Sequence, residues 1–228
     1  MNFDVFLLPQ SLTVPTESHD YPEWHKGRMY YALWYLEIQQ PDLLNYLNQL
    51  RHQFSSYLFQ PNTRQFHITL YICGFLNENG TQTNLDDDFS QQNFQQQLDL
   101  LKKADLNTFS LKVGKLNSFN SALFLEIEDT GNSLSKIRDS LKKSKQEIAP
   151  LNYCPHITLG LYSDEFESDD IFKMIDSNEQ KIFEIVINSL SFGIYQANIL
   201  QGQLTTLHQL SLINHHSKIS QEQNSCCN

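Results

Sequence analysis

The residues of this chain best suited to chemistry by type and spacing are two histidines, each followed two places later by a threonine. Phe66-His67-Ile68-Thr69-Leu70 and Pro155-His156-Ile157-Thr158-Leu159 share the run His-Ile-Thr-Leu. Each copy lies in a stretch of alternating character, which reads as a β-strand. Successive side chains of a strand point to opposite faces. His67 and Thr69 therefore share one face and Ile68 and Leu70 the other, and the same holds for His156 and Thr158 against Ile157 and Leu159. If the strands face each other across a groove, it holds two imidazoles and two hydroxyls. An imidazole titrates at about 6.5 when unperturbed, so one ring can be neutral and the other protonated near pH 7. Such a pair performs general acid–base catalysis. Cleavage of a phosphodiester needs both jobs at once: one ring takes a proton from water or a ribose hydroxyl, and the other gives one to the departing oxygen. The hydroxyls of Thr69 and Thr158 can hydrogen-bond the charge that builds on the non-bridging oxygens. No metal is required, and no carboxylate beside either histidine offers a third ligand. A lone histidine on a strand is ordinarily structural. His52 and His208 read that way, and His215 and His216 read as exposed; the duplication singles out His67 and His156.

The elements that must position these residues recur in the same order. The first half runs strand (29–38), helix (42–58), motif strand (66–73), helix (89–104), strand (108–115). The second runs strand (121–128), helix (132–146), motif strand (156–162), helix (168–176), strand (183–195). The helices follow from apolar residues at helical spacing, such as Leu43, Leu47, Leu50, Phe54 and Leu58. Asp86-Asp87-Asp88 suits a helix N-terminus through the dipole, Thr130-Gly131-Asn132-Ser133 offers capping residues, and Pro150 ends the helix before the second motif. A further strand (204–212) forms a hairpin with 183–195 through Gly202. The repeat implies an internal duplication and an α+β fold: two pseudo-symmetric lobes, each an antiparallel sheet with outer helices, facing across a central groove. Residues 1–28 read as an irregular N-terminal arm, in which 4–8 form a short strand and Trp24-His25-Lys26-Gly27-Arg28 either lies at the surface or reaches over the groove to a phosphate. Residues 29–213 read as the bilobal domain and 214–228 as a flexible polar tail.

Composition narrows the partners. The chain has 228 residues, 40% hydrophobic and 12% aromatic, which is a globular balance. Acids outnumber bases 26 to 16 for a formal charge of −10, which argues against long duplex nucleic acid as a partner. The basic residues of the fourth helix, Lys136, Arg138, Lys142, Lys143 and Lys145, read as a solvated face. No apolar run approaches the roughly 20 residues of a membrane span, so the expectation is a cytoplasmic monomer that does not engage membranes. Cys73 and Cys154 read as small buried residues in a reducing compartment. Cys226-Cys227 lack a complete prenylation box.

The paired His-x-Thr-Leu strands in a duplicated chain of this length resemble the 2H phosphoesterase superfamily, which includes bacterial 2′–5′ RNA ligases and cyclic phosphodiesterases. The resemblance covers approximately residues 29–213. Gly74, seven places after the first His, and Pro155, before the second, match the family. Its ligase branch often carries Arg five places after the second His, where this chain has Leu161. The resemblance implies His67 and His156 as acid and base, Thr69 and Thr158 on the phosphate, no cofactor, and a nucleotide or short RNA with a cyclic phosphate or 2′–5′ linkage as substrate. A non-catalytic nucleotide-binding module on the same scaffold is the alternative. Strand parity adds Tyr71 and Tyr162 to the groove face, with Gly160 leaving space between, so that a tyrosine stacks on a base. Arg64, shortly before His67, is a further phosphate-contact candidate.

Overall fold

The computed structural model describes residues 5–77, 85–148 and 152–213. The elements run α1 (Pro22–His25), β1 (Tyr30–Glu37), α2 (Pro41–Gln53), β2 (His67–Leu76), β3 (Asp88–Phe89), α3 (Gln91–Lys103), β4 (Phe109–Ser118), β5 (Ala122–Glu128), α4 (Ser133–Leu141), β6 (His156–Leu161), α5 (Ser168–Ser177), β7 (Phe183–Ile187), β8 (Ser189–Gln196) and β9 (Thr205–Ser211). The expected tail, residues Glu78 to Gly80, Pro150 and Cys226-Cys227 lie outside the described residues.

The strands form a sheet in the order β7-β4-β5-β6-β2-β1-β8-β9, with β3 beside β2. Neighbours are antiparallel except β2 and β3. The fold is α+β, as expected, but the two groups of strands are joined edge to edge. Ile68 of β2 pairs with Ile157 of β6 at the join. The closing strands are exchanged: β4 ends the first half of the sequence yet pairs with β5 of the second, while β8 ends the second half yet pairs with β1 of the first. The single strand expected over 183–195 is two strands, because the chain changes neighbours at Asn188, leaving β4 for β1.

Helices α2 to α5 cover one face. Leu43, Leu47 and Leu50 of α2, Leu98 and Leu101 of α3, Leu134, Ile137 and Leu141 of α4, and Ile171 and Ile175 of α5 share one core with Trp34, Leu36, Ile68, Leu70, Ile157 and Leu159. Burying an aliphatic side chain of this kind contributes about 1.5–3 kcal/mol. Pro41 opens α2 at a position where a missing N–H costs nothing. The helix stops at Gln53 rather than near 58: Ser55-Ser56 are poor helix formers, and Leu58 instead bridges to Tyr162. Helix α3 begins at a capping box of Ser90 and Asn93, not at the Asp run, since Asp88 and Phe89 are held as β3. Helix α4 ends at Leu141, earlier than expected. Its first turn is satisfied by Asp129, whose Oδ2 accepts from the Leu134 amide at 2.7 Å, while Asn132 at the cap makes no side-chain bond.

The open face carries smaller aromatic groups: Tyr31, Phe75 and Ala197; Leu33, Tyr35 and Leu204; Phe119, Ala122 and Phe124. The N-terminal arm crosses it. Phe6 bridges to Phe119, the one β-bridge among the described residues of the strand expected near 4–8. Trp24 packs on Tyr31 and Phe75 at ring distances of 5.0 and 4.9 Å.

Both motif strands are irregular at the same place. Against β1, Thr69 pairs with Tyr35 and Tyr71 with Trp34, so Leu70 is an extra residue. Against β5, Thr158 pairs with Phe124 and Gly160 with Leu123, so Leu159 is extra. These are β-bulges, which insert a residue on one strand and re-aim the side chains beyond it. Burial records the result identically: the six residues from His67 and the six from His156 both run half-buried, buried, half-buried, buried, buried, half-buried. Gly74 comes after a second irregularity in β2. It has φ +113°, and a Cβ there meets the Asp87 carbonyl oxygen at 2.2 Å, where β3 approaches. Strain of this kind costs about 1–3 kcal/mol. Gly74→Ala is therefore expected to lower the urea midpoint clearly. Gly114→Ala, whose added methyl meets nothing closer than 3.6 Å, serves as the control and should shift it far less.

Candidate active site

One step from the Ile68–Ile157 pair in either direction lie His67 beside Thr158 and Thr69 beside His156. Antiparallel partners of this kind have Cα atoms about 4.5–5.5 Å apart. The isoleucines point into the helix-side core, so the histidines and threonines share the opposite face. The structure thus brings all four motif residues together, as neighbours on adjoining strands.

The two imidazoles are oriented by the same device. Nδ1 of His67 meets the carbonyl oxygen of Gln65 at 2.8 Å, and Nδ1 of His156 meets that of Cys154 at 2.7 Å. A carbonyl only accepts, so Nδ1 carries the proton in each ring, and in the neutral ring Nε2 is the basic nitrogen. Aromatic rings wall each histidine: Tyr35 lies 5.8 Å from His67, near perpendicular, with its phenol 2.7 Å from the Thr206 hydroxyl. Phe119 and Phe124 lie 5.1 and 5.3 Å from His156. Phe6 reaches over both phenylalanines at 5.3 and 6.1 Å.

The surroundings of His67 disfavour its charged form. Burial pushes its pKa down to about 4, and the nearby charges of Arg64, His156 and Arg51 act in the same direction, against the opposing hydrogen bond to Gln65. The His156 ring is thus near enough to His67 to disfavour a second charge there. Arg64 lies 4.0 Å over the Tyr195 ring and donates from Nε to the Gly202 carbonyl at 2.9 Å. Burial lowers its pKa as well. Among the described residues no cluster of three or more His, Cys, Asp and Glu is placed to hold a metal ion.

Other candidates sit elsewhere. Tyr71 and Tyr162 face the core, not the groove: they are 2% and 0% exposed. The Tyr71 phenol donates to the Lys145 carbonyl at 2.5 Å, and that of Tyr162 lies 2.6 Å from the Ser118 hydroxyl. The bulges explain this. Each inserts a residue after the threonine, so strict alternation fails beyond it. Ile72 and Leu161, five places after their histidines, return to the open face, against the Tyr31–Phe75 and Phe119–Phe124 groups. Gly160 makes room not for a ligand but for Leu58, which a Cβ would meet at 3.0 Å. Arg28 is not aimed at a phosphate. It pairs with Asp87 at 2.5 Å and Asp88 at 2.9 Å and lies over the Phe75 ring. On α4 and beyond, Lys136, Lys142 and Lys143 are exposed, but Arg138 and Lys145 turn inward to β2 and β3. Tyr35, Phe119 and Phe124 escaped the sequence, which marks them only as strand aromatics.

The model of the 2′-5′ RNA ligase superfamily matches residues 40–198. The chain belongs to this family, a group within the 2H phosphoesterases. Among solved structures, Escherichia coli LigT complexed with 3′-AMP is similar at 13% identity and a TM-score of 0.55, covering 82% of this chain and 99% of LigT. A structure described as a phosphoesterase is similar at 14% identity and TM-score 0.54, covering 82% and 99%. TT0787 of Thermus thermophilus is similar at 12% and 0.52, covering 82% and 100%. At these identities the likeness shows the fold. No match is found among curated proteins. No helix among the described residues is long and apolar enough to cross a membrane.

The depressed pKa of His67 makes stability depend on pH. Unfolded, the ring takes a proton near 6.5; folded, only near 4. Between those values the unfolded state binds more protons, so stability falls as pH drops through that window and this contribution levels off below it. Urea midpoints measured at pH 7.5 and 5.0 should therefore fall more for the wild type than for His67→Gln. Equal losses would show that His67 titrates alike in both states.

Proposed function

We propose that the chain is a phosphoesterase acting on 2′,3′-cyclic phosphates or 2′–5′ phosphodiester bonds of nucleotides or short RNA, through paired-histidine acid–base catalysis without a metal. The observation that carries this is the register of β2 and β6. It sets His67, Thr69, His156 and Thr158 on one face, with both Nδ1 atoms tied to backbone carbonyls.

The local charges support a division of labour. His67 is held neutral near pH 7 by burial and by Arg64 and Arg51, which suits the general base; His156 is then the acid. For a cyclic phosphate, His67 removes a proton from the attacking water as its oxygen bonds to phosphorus. The bond to one ribose oxygen breaks, and His156 protonates that oxygen, leaving a phosphomonoester. A bound phosphate anion favours the protonated imidazole and draws the pKa of His67 upward toward the working range. Thr69 and Thr158 donate to the non-bridging oxygens, and Arg64 supplies positive charge from the side. The 3′-AMP held by E. coli LigT is of the size and chemistry assigned here. The substrate is small because the net charge of −10 opposes long polyanions.

Removing a general acid or base costs about 10²–10⁴-fold in rate. His67→Ala and His156→Ala should each lose turnover of a 2′,3′-cyclic nucleotide by that order, while wild type gives a bell-shaped pH profile and keeps its activity in EDTA. Full activity in either variant removes the acid–base assignment, and loss of activity with chelator removes the metal-free one. Binding of nucleotides with no turnover of cyclic or 2′–5′ substrates indicates a binding module instead.

A further inference from the structure

Each bulge leaves a carbonyl on the motif strand that the neighbouring strands do not take in register, and in both motifs that carbonyl belongs to the residue three places after the histidine. Arginine takes it both times. Arg138 donates from Nη1 to the Leu70 oxygen at 2.6 Å. Arg51 donates from Nε to the Leu159 oxygen at 2.8 Å. The arginines come from corresponding helices of the two halves, and they cross. Arg51 on α2, in the first half, holds the second motif; Arg138 on α4, in the second half, holds the first. The helices do likewise, α2 packing on β6 and α4 on β2.

Each arginine is itself fixed. The Arg51 guanidinium lies 3.9 Å over the Phe66 ring, just before His67. That of Arg138 lies 3.8 Å over the Tyr153 ring, shortly before His156, and pairs with Glu147 at 2.5 Å. Further donors and acceptors reach the same backbone. Glu147 accepts from the Ile72 amide at 2.9 Å, Tyr153 donates to the Thr69 carbonyl at 3.0 Å, and Asn62 donates to the Leu159 carbonyl at 3.3 Å.

We propose that Arg51 and Arg138 are reciprocal positioning residues: each fixes the bulge that phases the other half's histidine and threonine onto the shared face. They touch backbone, not substrate. Because each half's motif is braced by the other half's helix, the site is set only when the halves are docked. The kinetic part of this inference rests on the proposed phosphoesterase reading; the structural part does not.

The experiment uses the full chain with Arg51→Met and Arg138→Met, which keep side-chain length and remove the donor, and the corresponding Lys variants, which keep the charge and one donor. The readouts are the threonine methyl signals by NMR and the kinetics on a 2′,3′-cyclic nucleotide. Arg51→Met is expected to displace the Thr158 signal and leave that of Thr69 in place, and Arg138→Met the reverse. Misplacement by about 1 Å can cost roughly 100-fold in rate, so kcat should fall about 10- to 100-fold with KM within about threefold. The Lys variants should show smaller changes of the same crossed pattern, and they carry the test if a Met variant does not fold. Displacement of the threonine in the arginine's own half, or turnover within twofold of wild type in both Met variants, overturns the proposal. An inert wild type overturns the phosphoesterase reading alone, and the crossed displacement still decides the positioning role.

Discussion

The site depends on a single backbone meeting, Ile68 against Ile157, where the edges of two strand groups join into one sheet. Two antiparallel strands paired at that point must carry their flanking residues side by side, and the apolar pair fixes which face they take. Both isoleucines are fully buried beneath the helices. A slip by one residue would turn a histidine into the core and an isoleucine out of it, exchanging apolar burial for an imidazole without water. The hydrophobic core thus specifies the face on which the two histidines and two threonines lie. The exchange of β4 and β8 between halves ties each group of strands to both halves of the sequence, so the join is not left to that pair alone.

Around this join the two ends differ in character. The His67 end carries the cation of Arg64 and the hydroxyls of Tyr35 and Thr206. The His156 end is walled by Phe119, Phe124 and Leu161, with Glu126 paired opposite His156 on β5. Leu161 occupies the place where the ligase branch often has a cation, and the bulge turns it to the open face. The positive charge available to an anion is accordingly concentrated beside His67. The cations of Arg64 and Arg51 add to burial, the larger cause, in disfavouring the charged form of His67.

Much of this architecture was legible in the sequence. The repeated His-x-Thr, the matching order of elements and the helical spacing of Leu43, Leu47 and Leu50 located both motif strands and the helices behind them. The features that escaped did so for definite causes. A bulge leaves no mark in composition: Leu70-Tyr71 and Leu159-Gly160 look like ordinary strand, and alternation carried past them put Tyr71 and Tyr162 on the wrong face. The run 183–195 is continuously strand-like, and only its partners reveal that it serves β4 and then β1. Asp86-Asp87-Asp88 resembled a helix start because the pairing of Asp87 and Asp88 with Arg28, far away in sequence, is a tertiary fact. The long-range bonds of Arg51 and Arg138 were hidden for the same reason, since charged residues on a helix ordinarily face water.

That two imidazoles from separate halves serve one phosphate is tested most directly by ¹⁵N NMR of the histidine rings during titration with inorganic phosphate or a nucleoside monophosphate. The Nε2 signals of His67 and His156 are expected to move together and to fit one dissociation constant. A response at one ring only, or two rings saturating at different concentrations, would contradict a shared site.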